Sequence, residues 1–134
     1  MRTGYLFASS AAAALMLTVF TPASHAQDAG RAYCLDLTHR SVRMNAQAGK
    51  WIDRYTRHDG VSVNCEDERV EVRRFMAATP ASMGEDWEDR LEREWNASQC
   101  TNPRSREAIE KGWTVRAVYT TAAGRNVSFN AECD

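Results

Sequence analysis

Residues 95–133 read WNASQCTNPRSREAIEKGWTVRAVYTTAAGRNVSFNAEC, and the fold class turns on how this stretch is parsed. Asn102 followed by Pro103 opens a helix: the Asn side chain can accept from an unpaired backbone N–H, and proline at the first helical position sacrifices no hydrogen bond. Gly112 supplies the stop. After it, Trp113, Val115, Ala117 and Tyr119 alternate with polar residues at the period of a half-buried strand, and Val127, Phe129, Ala131 and Cys133 do the same. A short loop at Ala122, Ala123 and Gly124, with Gly124 free to adopt a left-handed conformation, joins the two runs as a hairpin. The predicted register sets Tyr119 opposite Val127, Ala117 opposite Phe129, Val115 opposite Ala131 and Trp113 opposite Cys133, so every apolar residue faces one side.

At the other end, Arg2 precedes an apolar run, and the segment closes on Ser24-His25-Ala26 before Gln27. This is the pattern of a secretory signal peptide at residues 1–26, leaving residues 27–134 as one expected domain. The apolar run is too short, and too broken by Thr18 and Pro22, for a membrane span. Removing Arg2 from the 17 basic residues leaves 16 against 18 acidic, a near-neutral balance that points neither to nucleic acid nor to an anionic membrane surface.

All four cysteines lie beyond the expected cut, and an even count in a small exported chain predicts two disulfides. Four cysteines allow three pairings. Their spacing points to Cys34 with Cys65 and Cys100 with Cys133. A zinc site is disfavoured because there is no Cys-x-x-Cys and the histidines lack ligand spacing.

Between these ends, Leu37, Met44, Ala48, Trp51 and Tyr55 recur at helical spacing and predict an amphipathic helix over about 37–55, ended by His58-Asp59-Gly60. Val61, Val63 and Cys65, then Val70 and Val72, predict a second hairpin with Cys65 opposite Val70 and Val63 opposite Val72. Thr79-Pro80 and the Ser82-x-x-Glu85 capping box start a helix whose stripe is Met83, Trp87, Leu91 and Trp95. The expected fold is therefore α+β in the order α-ββ-α-α-ββ, an antiparallel sheet of two hairpins covered on one face by two to three helices.

No catalytic constellation emerges. His39 and His58 would stand about 28 Å apart on one continuous helix, each exposed. There is no Gly-x-Ser-x-Gly, phosphate loop or His-Glu-x-x-His, so no enzyme activity, metal or cofactor is expected. Trp51, Trp87, Trp95 and Trp113 fall on predicted inner faces as core, and with Tyr119 they form the candidate lining of a groove able to grip a partner's peptide or helix.

Cys100, Pro103, Arg106, Ile109, Gly112, Tyr119, Gly124 and Cys133 together resemble the pattern of small bacterial envelope proteins, among them the disulfide-bonded type II secretion pilotins and secreted virulence-factor domains. The resemblance covers the last third of the chain and consists of structural residues. It implies an α+β envelope domain that binds a polypeptide, for pilotins a terminal helix of the outer-membrane secretin. Pilotins usually carry a lipid-modified cysteine at the cleavage site; here Gln27 stands there, so no lipid anchor is expected. The expected role is a non-enzymatic periplasmic adaptor for another envelope protein. The alternative is a secreted inhibitor or virulence effector acting on a foreign protein.

Overall fold

The computed structural model describes residues 23–134. The expected signal segment lies outside them except for residues 23–26, which form the start of the first helix. The elements run α1 (Ala23–Asn45), β1 (Thr56–Asn64), β2 (Arg69–Met76), α2 (Pro80–Met83), α3 (Trp87–Thr101), α4 (Pro103–Glu110), β3 (Thr114–Thr121) and β4 (Asn126–Asn130).

The C-terminal stretch folds as its pattern dictates. Asn102 caps α4 through its side-chain oxygen, which accepts from Arg104 and Ser105 N–H, with Pro103 in the first turn. Gly112 and Gly124 both adopt positive φ, at 87° and 79°, where a side chain would be strained. β3 and β4 pair antiparallel with Tyr119 opposite Val127 and Ala117 opposite Phe129, and Ala131 N–H donates to Val115 O. Val115, Ala117, Tyr119 and Thr121 are buried while the residues between them are half-exposed, so one face carries the core.

Four expectations about these elements are corrected. First, the sheet is mixed rather than antiparallel throughout: its order is β1-β2-β3-β4, and β2 runs parallel to β3 from Arg69 beside Thr114 to Met76 beside Thr121. Each hairpin is antiparallel, but α2–α4 carry the chain back along the sheet, so β3 starts at the same end as β2. Second, the β1–β2 register is Val63 opposite Val70 and Val61 opposite Val72, two residues from the expected one and so on the same face. Asn64 ends the strand early by accepting from Glu66 and Asp67 N–H, which places Cys65 in the turn, where it meets Cys34.

Third, the first helix is earlier than its pattern implied. It begins at Ala23, takes in Cys34, and stops at Asn45. The residues assigned to its second half instead fold back on β1, with Gly49 N–H donating to His58 O and His58 N–H to Lys50 O. Met44, Trp51 and Tyr55 are consequently about half-exposed, and the buried stripe is Cys34, Leu37 and Ser41. The second predicted helix is also split, by Gly84 at φ 89°, and the Ser82 capping box does not form.

The end of α1 closes the free edge of β1. Asn45 Nδ2 donates to Val61 O at 2.9 Å while its Oδ1 accepts from Val61 N–H at 2.6 Å, standing in for a neighbouring strand. β1 bulges between His58 and Gly60, and a Cβ on Gly60 would lie 3.1 Å from Asn45 Oδ1. Asn45→Ala is expected to lower stability by about 1–2 kcal/mol in urea unfolding, since it strips two bonds from a buried residue, and to speed amide exchange at Val61. Unchanged protection there would show that another group seals the edge.

Candidate functional site

The main helix-to-sheet packing is α1 against β1, α4 against β3 and α3 against β4, with Trp95 of α3 also meeting Arg74 of β2. β2, left between them, floors a cleft of about 490 Å³, within the range of ligand pockets. Because side chains alternate along a strand, Val61, Val63, Val70, Val72 and Val115 all present methyl groups to it. One wall is α1, through Leu37, Ser41 and Met44; the other is Trp95 and Gln99 of α3 with Ala108 of α4. Ser105 Oγ donates to Gln99 Oε1 at 2.7 Å, tying α3 to α4 along that wall.

The charges around the cleft have one sign. Arg40, Arg43 and Arg104 stand at its rim and Arg74 within it, and none of its lining residues is Asp or Glu. Arg40 is paired with Asp36 at 2.5 Å, one turn away on the same helix. Arg74 shares the inner parity of β2 with Val70, Val72 and Met76. Its guanidinium lies over the rings of Trp95 and Tyr119, 5.4 and 5.8 Å from their centroids, and Nη1 donates to Tyr119 Oη at 3.0 Å. Burial raises the Tyr119 phenol above its ordinary value, against the opposing pull of the Arg74 charge and hydrogen bond.

Of the five aromatics expected to line a groove, only Trp95 and Tyr119 come together, both against the Arg74 guanidinium. Trp51 is exposed on the opposite face of the sheet, edge-on to Phe75. Trp113 is buried beside Tyr33, near the Cys34–Cys65 bridge. Trp87 lines a larger hollow of about 870 Å³ between the 53–56 turn and α2–α3. That hollow carries charges of both signs, Asp53 and Glu94 against Arg54 and Arg90, and Arg90 is already bonded to Asp86 and Met83 O, so it lacks the cleft's polarity. The groove is thus aliphatic at its floor, and the valines and Arg74 were not anticipated. The parity of β2 carried the signal, an arginine two residues beyond Val72 on the apolar side.

Both disulfides are present, Cys34–Cys65 and Cys100–Cys133. His39 is exposed, but His58 is buried on β1 with Nε2 3.2 Å from Met44 O, because it belongs to a strand and not to a helix end. Among the described residues no three His, Cys, Asp or Glu side chains converge as metal ligands, and no helix is long and apolar enough to cross a membrane.

No protein-family model matches the sequence, and no curated protein matches it. Solved structures do share the fold. A candidate secreted protein of Pseudomonas aeruginosa superposes with a TM-score of 0.63 at 13% identity, over 74% of this chain and 88% of that one. EpsS, the pilotin of the Vibrio vulnificus type 2 secretion system, superposes with a TM-score of 0.60 at 15% identity, over 75% and 87%.

Proposed function

We propose that this chain is a non-enzymatic extracytoplasmic adaptor that holds an amphipathic helix of another envelope protein in the cleft between α1 and α3–α4. The observation that carries the reading is the cleft of about 490 Å³ over the sheet, lined by valines and arginines and by no Asp or Glu. A helix with an apolar stripe fits such a groove through residues spaced three and four apart. The two disulfides, the expected signal segment at residues 1–26 and the pilotin and secreted-protein folds all support a place outside the cytoplasm.

The test is site-specific photo-crosslinking in the envelope, with the crosslinker placed at Met44 or Ser98 on the cleft and at Ser128 on the outer sheet face. Adducts formed only from the cleft positions, mapping to an amphipathic segment of an envelope protein, are the expected result, and Ser41→Trp, which fills the slot, should abolish them. Equal crosslinking from Ser128, or none from the cleft, sinks the reading. The candidate secreted protein among the structural neighbours favours a second reading, a released inhibitor of a foreign protein; accumulation in the medium instead of the periplasm would select it.

A further inference from the structure

The two edges of the sheet are finished differently. On β1 the chain itself takes up the outward backbone groups: Asn45 bonds both groups of Val61, Gly49 N–H donates to His58 O, and His58 N–H donates to Lys50 O. β4 is the other edge. Thr121 N–H donates to Arg125 O and Ala131 N–H to Val115 O, and bonded and non-bonded pairs alternate along an antiparallel ladder. Val127 and Phe129 therefore turn their backbone groups to β3, while Asn126, Ser128 and Asn130 turn theirs outward. All three are exposed, and among the described residues nothing bonds their N–H or C=O groups. The edge is closed only one step further on, where Asn96 Oδ1 accepts from Glu132 N–H. β4 also lacks the usual guards of an edge, a proline, a lysine or a bulge.

Helix α3 supplies the charge beside this edge. Glu88 is ion-paired with Arg125 just before β4, while Asn96 bonds Glu132 and Cys100 bridges Cys133 just after it. Residues four apart share a helix face, so Glu92 stands on that same face, level with the middle of β4. It is exposed, and among the described residues it has neither an ion pair nor a hydrogen bond. We infer that β4 takes up a fifth strand, an extended segment of a partner polypeptide that carries a lysine or arginine beneath Glu92. The site lies outside the cleft, so the inference stands apart from the adaptor reading.

In strand addition the main chain supplies the affinity and alternate side chains the choice of partner. Here the added strand would satisfy Asn126, Ser128 and Asn130, and every second residue of it would fall on the inner face beside Val127 and Phe129. Phe129 is only half-buried, so an apolar neighbour completes its cover. The next inner residue, about 6.6 Å along, comes under Glu92, where a cation is paired and an acid repelled. A second copy of this chain is the wrong occupant. Joined edge to edge about Ser128, two β4 strands would set the acidic flanks of two α3 helices, Glu88, Asp89 and Glu92, against each other. The motif sought in the partner is an extended run with an apolar residue and a lysine or arginine two positions apart.

The probe is a displayed library of extended peptides, threonine alternating with randomised positions, selected on the oxidised mature protein. The apolar-basic pair should be enriched. Bound peptide should slow amide exchange about tenfold or more at Asn126, Ser128 and Asn130, while Val127 and Phe129, already bonded to β3, change little. Ser128→Pro removes an outward N–H and no internal backbone bond, and should abolish binding. Glu92→Lys leaves the edge intact; it should weaken the selected peptide about three- to tenfold and, in a fresh selection, turn the preference to Asp or Glu. Ser41→Trp, which fills the cleft, should change neither result, and a crosslinker at Ser128 should capture an extended basic stretch distinct from the amphipathic segment reached from Met44 and Ser98. Exchange slowed at consecutive residues or at none, or binding that survives Ser128→Pro, overturns the fifth strand and leaves the adaptor standing. A basic preference that survives Glu92→Lys overturns the assigned partner, and a dimer of the unliganded protein that Ser128→Pro dissolves gives the edge to a second copy. The exchange pattern and Glu92→Lys decide the matter even where the proline unfolds the strand.

Discussion

Replacing Cys34 and Cys65 together by alanine is expected to lower the unfolding free energy by about 3–4 kcal/mol and to loosen α1, one wall of the cleft. The bridge closes a loop of 31 residues, and in the chain-entropy account such a closure stabilises by about 3.7 kcal/mol through restriction of the unfolded chain. The Cys100–Cys133 bridge, at a separation of 33, should contribute nearly the same amount to stability. The two differ in what they hold. α1 meets the sheet along β1 and is fastened near its middle by Cys34 and at its end by the Asn45 bonds to Val61. Its own buried stripe is thin, Cys34, Leu37 and Ser41, so losing the covalent tie leaves one wall of the cleft held by little apolar area. Urea unfolding should show the loss in midpoint, and amide exchange should rise along α1 before the β3–β4 hairpin is affected. A change below about 1 kcal/mol, with α1 still protected, would mean that packing alone docks the helix.

The parts of this fold that were legible in the sequence are those fixed by neighbours in the chain. The β3–β4 hairpin follows from strict alternation and Gly124, and α4 from Asn102-Pro103, because both are settled by local backbone chemistry. The parallel pairing of β2 with β3 was not legible: two amphipathic hairpins present the same alternation whichever way they meet, and the length and path of the α2–α4 crossover decide it. The end of α1 failed for a related reason. Met44, Trp51 and Tyr55 fall at helical spacing, yet Gly49 takes φ 86° and the chain turns back to pair with His58, a tertiary contact that overrides the periodicity. The cleft itself was hidden because its floor comes from three strands, and only the assembled sheet brings their valines together. Of the aromatics expected to line a groove, Trp51 stands on the far face of the sheet, while the position of Arg74 among inward valines was readable from strand parity.

Trp95→Ala and Trp95→Phe should separate the packing role of that residue from its unpaired N–H. Trp95 is among the most buried side chains of the described residues and joins α3 to the inner sheet face, so truncation to alanine opens a large cavity and is expected to cost about 3–5 kcal/mol. Arg74 would lose one of the two rings it lies over, leaving a partly buried cation less well enclosed and adding to the loss. Phenylalanine keeps most of the apolar contact and removes the indole N–H that finds no acceptor. The desolvation cost of such a donor is about 1–3 kcal/mol, which offsets the smaller ring, so Trp95→Phe should fall within about 1.5 kcal/mol of the parent protein. Urea unfolding of the two variants measures this difference directly. A phenylalanine variant as unstable as the alanine one would mean that the indole N–H already has a partner in the folded protein, an ordered water for example.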